Sequence, residues 1–206
     1  MSDLYVAGKE EQKKIDDLEL DLPAQKGRFS SVNVFPSGVR FETQEEGENI
    51  VLLLRMHWVT NIPWIFLSII FLLAPLVLSS FPIISFLPWR FQIMSLIIWY
   101  LLVTAFIFER FLVWFFNVYI ITDQRIVDVD FYNLLYKEVS DAQLEKIQDV
   151  TYKMGGVVRI LFDFGDVFIQ TAGTEPNFDF LAVANPSRVV SVLEKLRERK
   201  KGKGVP

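Results

Sequence analysis

Apolar positions fall into two regimes along this chain. From Ile62 to Phe81 (IPWIFLSIIFLLAPLVLSSF) and from Phe91 to Phe108 (FQIMSLIIWYLLVTAFIF) they are nearly continuous, and no charged residue interrupts either run. A helix crosses the hydrocarbon core of a bilayer with about 20 mostly apolar residues. In lipid the backbone must satisfy its own hydrogen bonds, which requires helix. The pattern therefore predicts a two-helix transmembrane hairpin over 62–108, with helices at 62–81 and 91–108 joined by the short loop Pro82–Arg90. Pro75 lies inside the first helix. From Asn117 onward the period shortens. Val118–Thr122 is β-branched and aromatic, and Asp123-Gln124 suits a turn. Along Arg125–Phe131, Val127, Val129 and Phe131 alternate with Asp128 and Asp130, the pattern of a half-buried strand with its carboxylates outward. Tyr136–Ser140, Ile147–Tyr152, Asp166–Ala172 and Asn177–Val183 read as further strands. The chain then closes with an amphipathic helix. Asn185 caps it, Pro186 suits its first position, and Val189, Val192, Leu193 and Leu196 form one apolar face.

The polar flanks complete the domain picture. Residues 1–31 are rich in Asp, Glu and Lys and read as a disordered tail. Residues 32–61 form a cytoplasmic lead-in, in which NIVLLLRMH (49–57) is either a strand returning to the soluble domain or an interfacial helix. Residues 109–116, with FLVWFF at their end, read as an interfacial connector, and 200–206 as a basic tail. The net charge of −4 is spread over both flanks and only Arg90 lies within 62–108, so nucleic acid is not an expected partner. The chain has no cysteine, hence no disulfide framework. Arg40, Arg55, Arg110 and Arg125 flank the hairpin against Arg90 in its loop, which places both termini in the cytoplasm of a multi-pass protein of the cell (inner) membrane. Trp58, Trp64, Trp89 and Trp114 lie where belt aromatics belong. Trp99 falls mid-span and is expected to pack against the first helix or a second subunit.

Candidate chemistry is sparse. His57 is the single histidine and cannot build a histidine metal cluster. Asp128 with Asp130, and Asp163 with Asp166, are carboxylate pairs without a visible partner for acid–base work, and read as a polar strand face and a turn. Gly155-Gly156 lacks the rest of a phosphate loop and reads as a tight turn. No catalytic residue, metal ligand or cofactor site is expected. The charged feature of note is the run Lys195, Arg197, Arg199, Lys200, Lys201 and Lys203, with Glu198 the only acid among them. Clusters of four to eight basic residues attract anionic lipid at about 1 kcal/mol each, so these six are the candidate contacts to anionic headgroups. A solvated helix end is the competing explanation.

Ile121-Thr122-Asp123-Gln124-Arg125-Ile126, Ile147-Gln148-Asp149-Val150, Arg159 followed by Phe164-Gly165-Asp166-Val167 and Thr171-Ala172-Gly173, and Asn185-Pro186 follow one another along the chain. In these motifs residues 117–199 resemble the bacterial pleckstrin-homology (PH) domain of YdbS-like membrane proteins. The resemblance implies a mainly-β PH-like domain, two packed antiparallel sheets capped by a C-terminal helix. It carries no catalytic residue and no cofactor. The expected function is a non-enzymatic binding or scaffolding module held at the bilayer, for a protein, a peptide or the anionic leaflet. The alternatives are a self-assembling complex or transport accessory subunit, which would need a homo-oligomer, and, last, an enzyme.

Overall fold

The β-branched runs after Asn117 fold as strands, and so does the apolar run that precedes the first long helix. The structure is a computed structural model that describes residues 30–36, 38–78, 88–133, 136–172 and 177–203. A five-stranded antiparallel sheet has the order β1 (Val32–Val34), β2 (Ile50–Arg55), β3 (Val118–Thr122), β4 (Arg125–Asn133), β5 (Tyr136–Gln143). A three-stranded antiparallel sheet holds β6 (Ile147–Lys153), β7 (Phe164–Thr171) and β8 (Phe178–Ala184). The helices are α1 (Ile62–Leu78), α2 (Trp89–Phe116), the short α3 (Val157–Leu161) and α4 (Pro186–Lys203). The polar tail read over 1–31, the outer loop around 82–87 and the last residues of the basic tail lie outside the described residues, almost entirely or in full.

The core lies between the sheets. Leu52, Leu54, Tyr119, Ile121 and Ile126 meet Val150, Val167, Ile169, Phe178 and Phe180, and the Tyr119 and Phe180 rings stack at 4.5 Å. The predicted apolar face of α4 (Val189, Val192, Leu193, Leu196) is buried in the same cluster. A bridge between Met56 and Val183 joins the sheets at one corner. A second apolar layer covers the outer face of the first sheet, where Ile50, Leu53, Ile120 and Val127 pack with Phe41.

Three expectations change. The domain begins before the hairpin and not at 117: β2 pairs with β3 from Ile50↔Thr122 to Arg55↔Val118, and β1 adds to its other edge. The lead-in is therefore part of the sheet. β2 is buried on both faces, which is why IVLLLR shows no alternation. Second, 109–116 is no separate connector, because α2 runs unbroken to Phe116. Its last turns pack on the domain: the Trp114 Nε1–H donates to Met56 O (3.0 Å), and the Arg55 guanidinium lies 4.6 Å from the Phe115 ring centre. Third, Asp128 is not on an outer face. Ile126 and Val127 are both fully buried, so both sides of β4 are covered, and Asp128 shares the inward side with Ile126.

α1 and α2 pack as a hairpin. The indole N–H of Trp99 donates to Phe71 O (2.9 Å), so Trp99 packs on the first helix. Phe71 also meets Phe106 edge-on at 6.0 Å. At 1.5 Å per residue, the 28 residues of α2 span about 42 Å, against about 30 Å of hydrocarbon.

Candidate functional site

The two ends of the domain differ in chemistry. At the hairpin end, the turn Trp58–Asn61 leads into α1. His57 is buried there, stacked on Phe164 at 4.8 Å, and its Nδ1 accepts the Val59 N–H. Burial holds its pKa below the ordinary histidine value, opposed by the Asp163 charge. It works as a neutral cap. Asn117 closes α2, and its side-chain oxygen accepts the Phe131 N–H. Asp163 and Asn185 tie the β6–β7 loop to the start of α4: the Asn185 N–H donates to Asp163 O (2.8 Å) and its amide side chain to the Asp163 carboxylate. The side chain of Asn185 is thus spent on Asp163, and its carbonyl accepts the first helical N–H groups.

At the far end, the β3–β4 turn is pinned by a buried ion pair. Arg125 Nε donates to Glu48 Oε1 (3.0 Å), and the Glu48 side chain is fully buried. Thr122 Oγ1 donates to the same oxygen (2.8 Å). The Glu45 N–H donates to Glu48 Oε2 (2.9 Å), and Arg125 reaches Asp141 (3.0 Å) and Thr43 O. Burial pushes the Glu48 pKa up, but hydrogen bonds from Arg125, the Glu45 N–H and Thr122 outweigh it and leave the carboxyl below its ordinary value. Beside this pin lies an open polar cleft of about 220 Å³, lined by Glu45, Gln124, Arg125, Asp141, Gln143, Glu145 and Lys200.

The six basic residues of the C-terminal run sit at this far end. α4 starts beside Asp163, near His57, and its 18 residues carry the chain about 27 Å away. Arg197 Nη1 donates to Gln148 O (3.0 Å), Lys200 lies 3.8 Å from Glu145, and Lys201 is exposed. Lys195 and Arg199 are engaged in interactions as well, and Lys203 ends the helix.

A third feature was not legible in the sequence. Asp128 is buried, and one of its carboxylate oxygens has no hydrogen-bond partner. Burial raises its pKa to about 7, helped by the charges of Asp130, Glu138 and Asp179. Burial, then Glu138, raises Asp130 as well. The nearby Tyr119 hydroxyl accepts the Leu181 N–H (3.0 Å), and burial lifts its pKa further from neutrality. Among the described residues no group of three or more His, Asp or Glu is arranged to hold a metal ion.

The recurring motifs prove to be structural. Ile147 and Val150 of IQDV enter the core. In FGDV, a Cβ on Gly165 would sit 2.5 Å from Lys153 O, so β6 and β7 approach too closely there for a side chain. Asp166 accepts the Ala182 N–H (2.9 Å) and pairs with Arg159, the arginine upstream of the motif. Gly156 turns the β6–β7 loop at φ 93°, as the glycine pair predicted.

A family model described as the bacterial PH domain matches residues 51–199. No curated protein and no solved structure matches the chain.

Proposed function

The chain belongs to the bacterial PH domain family, and from that premise we propose that it is a YdbS-like, membrane-anchored binding module with both flanks in the cytoplasm. The observation that carries this reading is where the helices enter the fold. They leave the first sheet after Arg55 and return at Val118, and those two residues are directly paired. An insertion that departs and returns at adjacent strands brings both ends to one side of any membrane it crosses. Both helices are long and apolar enough to cross, and their large side chains face outward: Phe66 is 64% exposed and Leu101 65%. A core helix of a soluble protein would have these covered. Arg55, Arg110 and Arg125 against Arg90 favour the cytoplasmic orientation.

What the module binds follows from what the hairpin leaves free. β5 is the outer strand of its sheet, and most of its side chains are exposed. A strand edge of this kind accepts an extended peptide by strand addition. A protein partner fits better than the anionic leaflet, since α4 carries Lys195, Arg197, Lys200 and Lys201 away from the hairpin end. Binding, not turnover, is the activity. The test is a photo-crosslinking residue at Val139 in the full chain, in native membranes. One reproducible protein adduct, lost when the edge is competed, is expected. A scatter of unrelated neighbours would overturn the reading.

A further inference from the structure

The β6–β7 loop carries α3, and every residue of that short helix lacks burial. Val157 is 82% exposed, Ile160 64% and Leu161 75%, with Val158 and Phe162 also exposed. Five large apolar side chains in six positions form a patch that water would not select. The one charge in the helix is turned away from it. Arg159 folds back to Asp166, and its guanidinium lies 5.9 Å from the Phe164 ring centre. The tip is therefore left uncharged.

The position of this tip decides what can cover it. Phe162 packs edge-on against Trp58 at 5.7 Å, and Trp58 opens the turn that feeds α1. The patch is thus continuous with the first turn of α1, where Ile62 is exposed. Phe71 meets both Trp99 and Phe106, so counting along the two helices brings Ile62 level with about residue 111 of α2. That is one turn or less past Glu109-Arg110, the first charges after the apolar stretch. Trp58 stands four residues before Ile62, about 6–8 Å further out, at the level of the headgroup layer. A second exposed aromatic pair stands at the same end. Tyr132 and Tyr136 of the β4–β5 hairpin pack at 5.5 Å, beside the contact of Phe131 with Phe116 at the base of α2. Tyrosine favours this depth.

We infer that α3 is a third membrane contact: an apolar finger that dips into the cytoplasmic leaflet beside α1 and takes lipid, at the boundary of headgroup and acyl chain, as its ligand. The inference rests on the hairpin crossing the membrane. The base of α2 is fastened to the sheet at Met56 O and Asn117, so the domain cannot swing away and the finger stays at a fixed depth.

The natural absence of cysteine makes the test direct. Val158→Cys, Leu161→Cys, Leu73→Cys and Gln143→Cys are made singly in the full chain, labelled with an environment-sensitive fluorophore and reconstituted in vesicles of zwitterionic lipid. Quenching by lipid-borne nitroxides is compared with quenching by aqueous iodide. The expected result is lipid quenching at 73, 158 and 161, with 158 and 161 reporting a shallower depth, and iodide quenching at 143. Lipid quenching at 73 with iodide quenching at 158 and 161 would overturn the finger and leave the hairpin reading standing. Shielding of 158 and 161 from both quenchers would overturn it in favour of a protein cover, such as a second copy. No lipid quenching at 73 would remove both readings.

Discussion

Asp128 is held far from its ordinary state. Its carboxyl is buried beside Asp130, Glu138 and Asp179, and keeps its proton to about pH 7. The unfolded chain loses that proton near the usual aspartate value of about 3.9. Between these two pH values the folded state binds the extra proton, so stability falls as pH rises from about 4 to about 7. Asp128→Asn should flatten that slope and raise stability at pH 8 by on the order of 1–2 kcal/mol, read as a shift in thermal midpoint against pH in detergent. Glu48 and Arg125 illustrate the opposite case. The pair is satisfied on all sides, and Arg125→Ala leaves a fully buried carboxylate without its cation. A loss of about 3 kcal/mol is expected by chemical denaturation, partly recovered in the double variant with Glu48→Gln. Gly165→Ala should cost about 1–3 kcal/mol, because the Met154 side chain can move away from the new methyl but the backbone oxygen of Lys153 cannot.

Among the elements, α4 and the hairpin helices were the most legible. The i, i+3, i+4, i+7 face of α4 is the face the core buries, and Leu193→Ala should cost about 2–5 kcal/mol by the same measurement. Continuous apolar runs marked α1 and α2, which are long and apolar enough to cross a membrane, because helices of that kind need no polar side. β2 and the end of α2 were less legible for a shared reason. A strand covered on both faces and the end of a long apolar helix that packs on the domain both read as uniformly apolar. IVLLLR and FLVWFF thus carry little sign of what covers them. α3 is the converse. VVRIL is apolar yet uncovered by the domain, and burying each such side chain at a leaflet is worth about 1.5–3 kcal/mol.

For the whole molecule, the important fact is that a two-helix insertion divides one sheet. Arg55 and Val118 are neighbours across β2 and β3, with the hairpin between them in sequence. Two shortened chains make this testable. A chain starting at Ser30 in which a short flexible linker replaces residues 61–116 keeps every strand, and should give a soluble, β-rich domain with one cooperative transition. A chain starting at Asn117 lacks β1 and β2, exposes the side of β3 that β2 covers, and should aggregate or remain unfolded. Circular dichroism and size-exclusion chromatography distinguish the two. If the chain from Asn117 folded as well as the longer one, β2 would not be integral to the domain.

The sequence by itself determined the elements whose surroundings are uniform. Two long apolar helices, the six strands that follow them and a terminal amphipathic helix all follow from local period, because the surroundings of each repeat regularly over most of its length. Only the tertiary structure decided the partners. It closed β2 onto β3 across more than sixty residues. It turned Asp128 inward, gave Arg159 to Asp166, and put the basic end of α4 opposite the hairpin. The physical reason is one of range. Periodicity reports whether a residue meets water or apolar surroundings. Which distant segment supplies those surroundings is set by strand pairing and packing, and these depend on the chain as a closed whole.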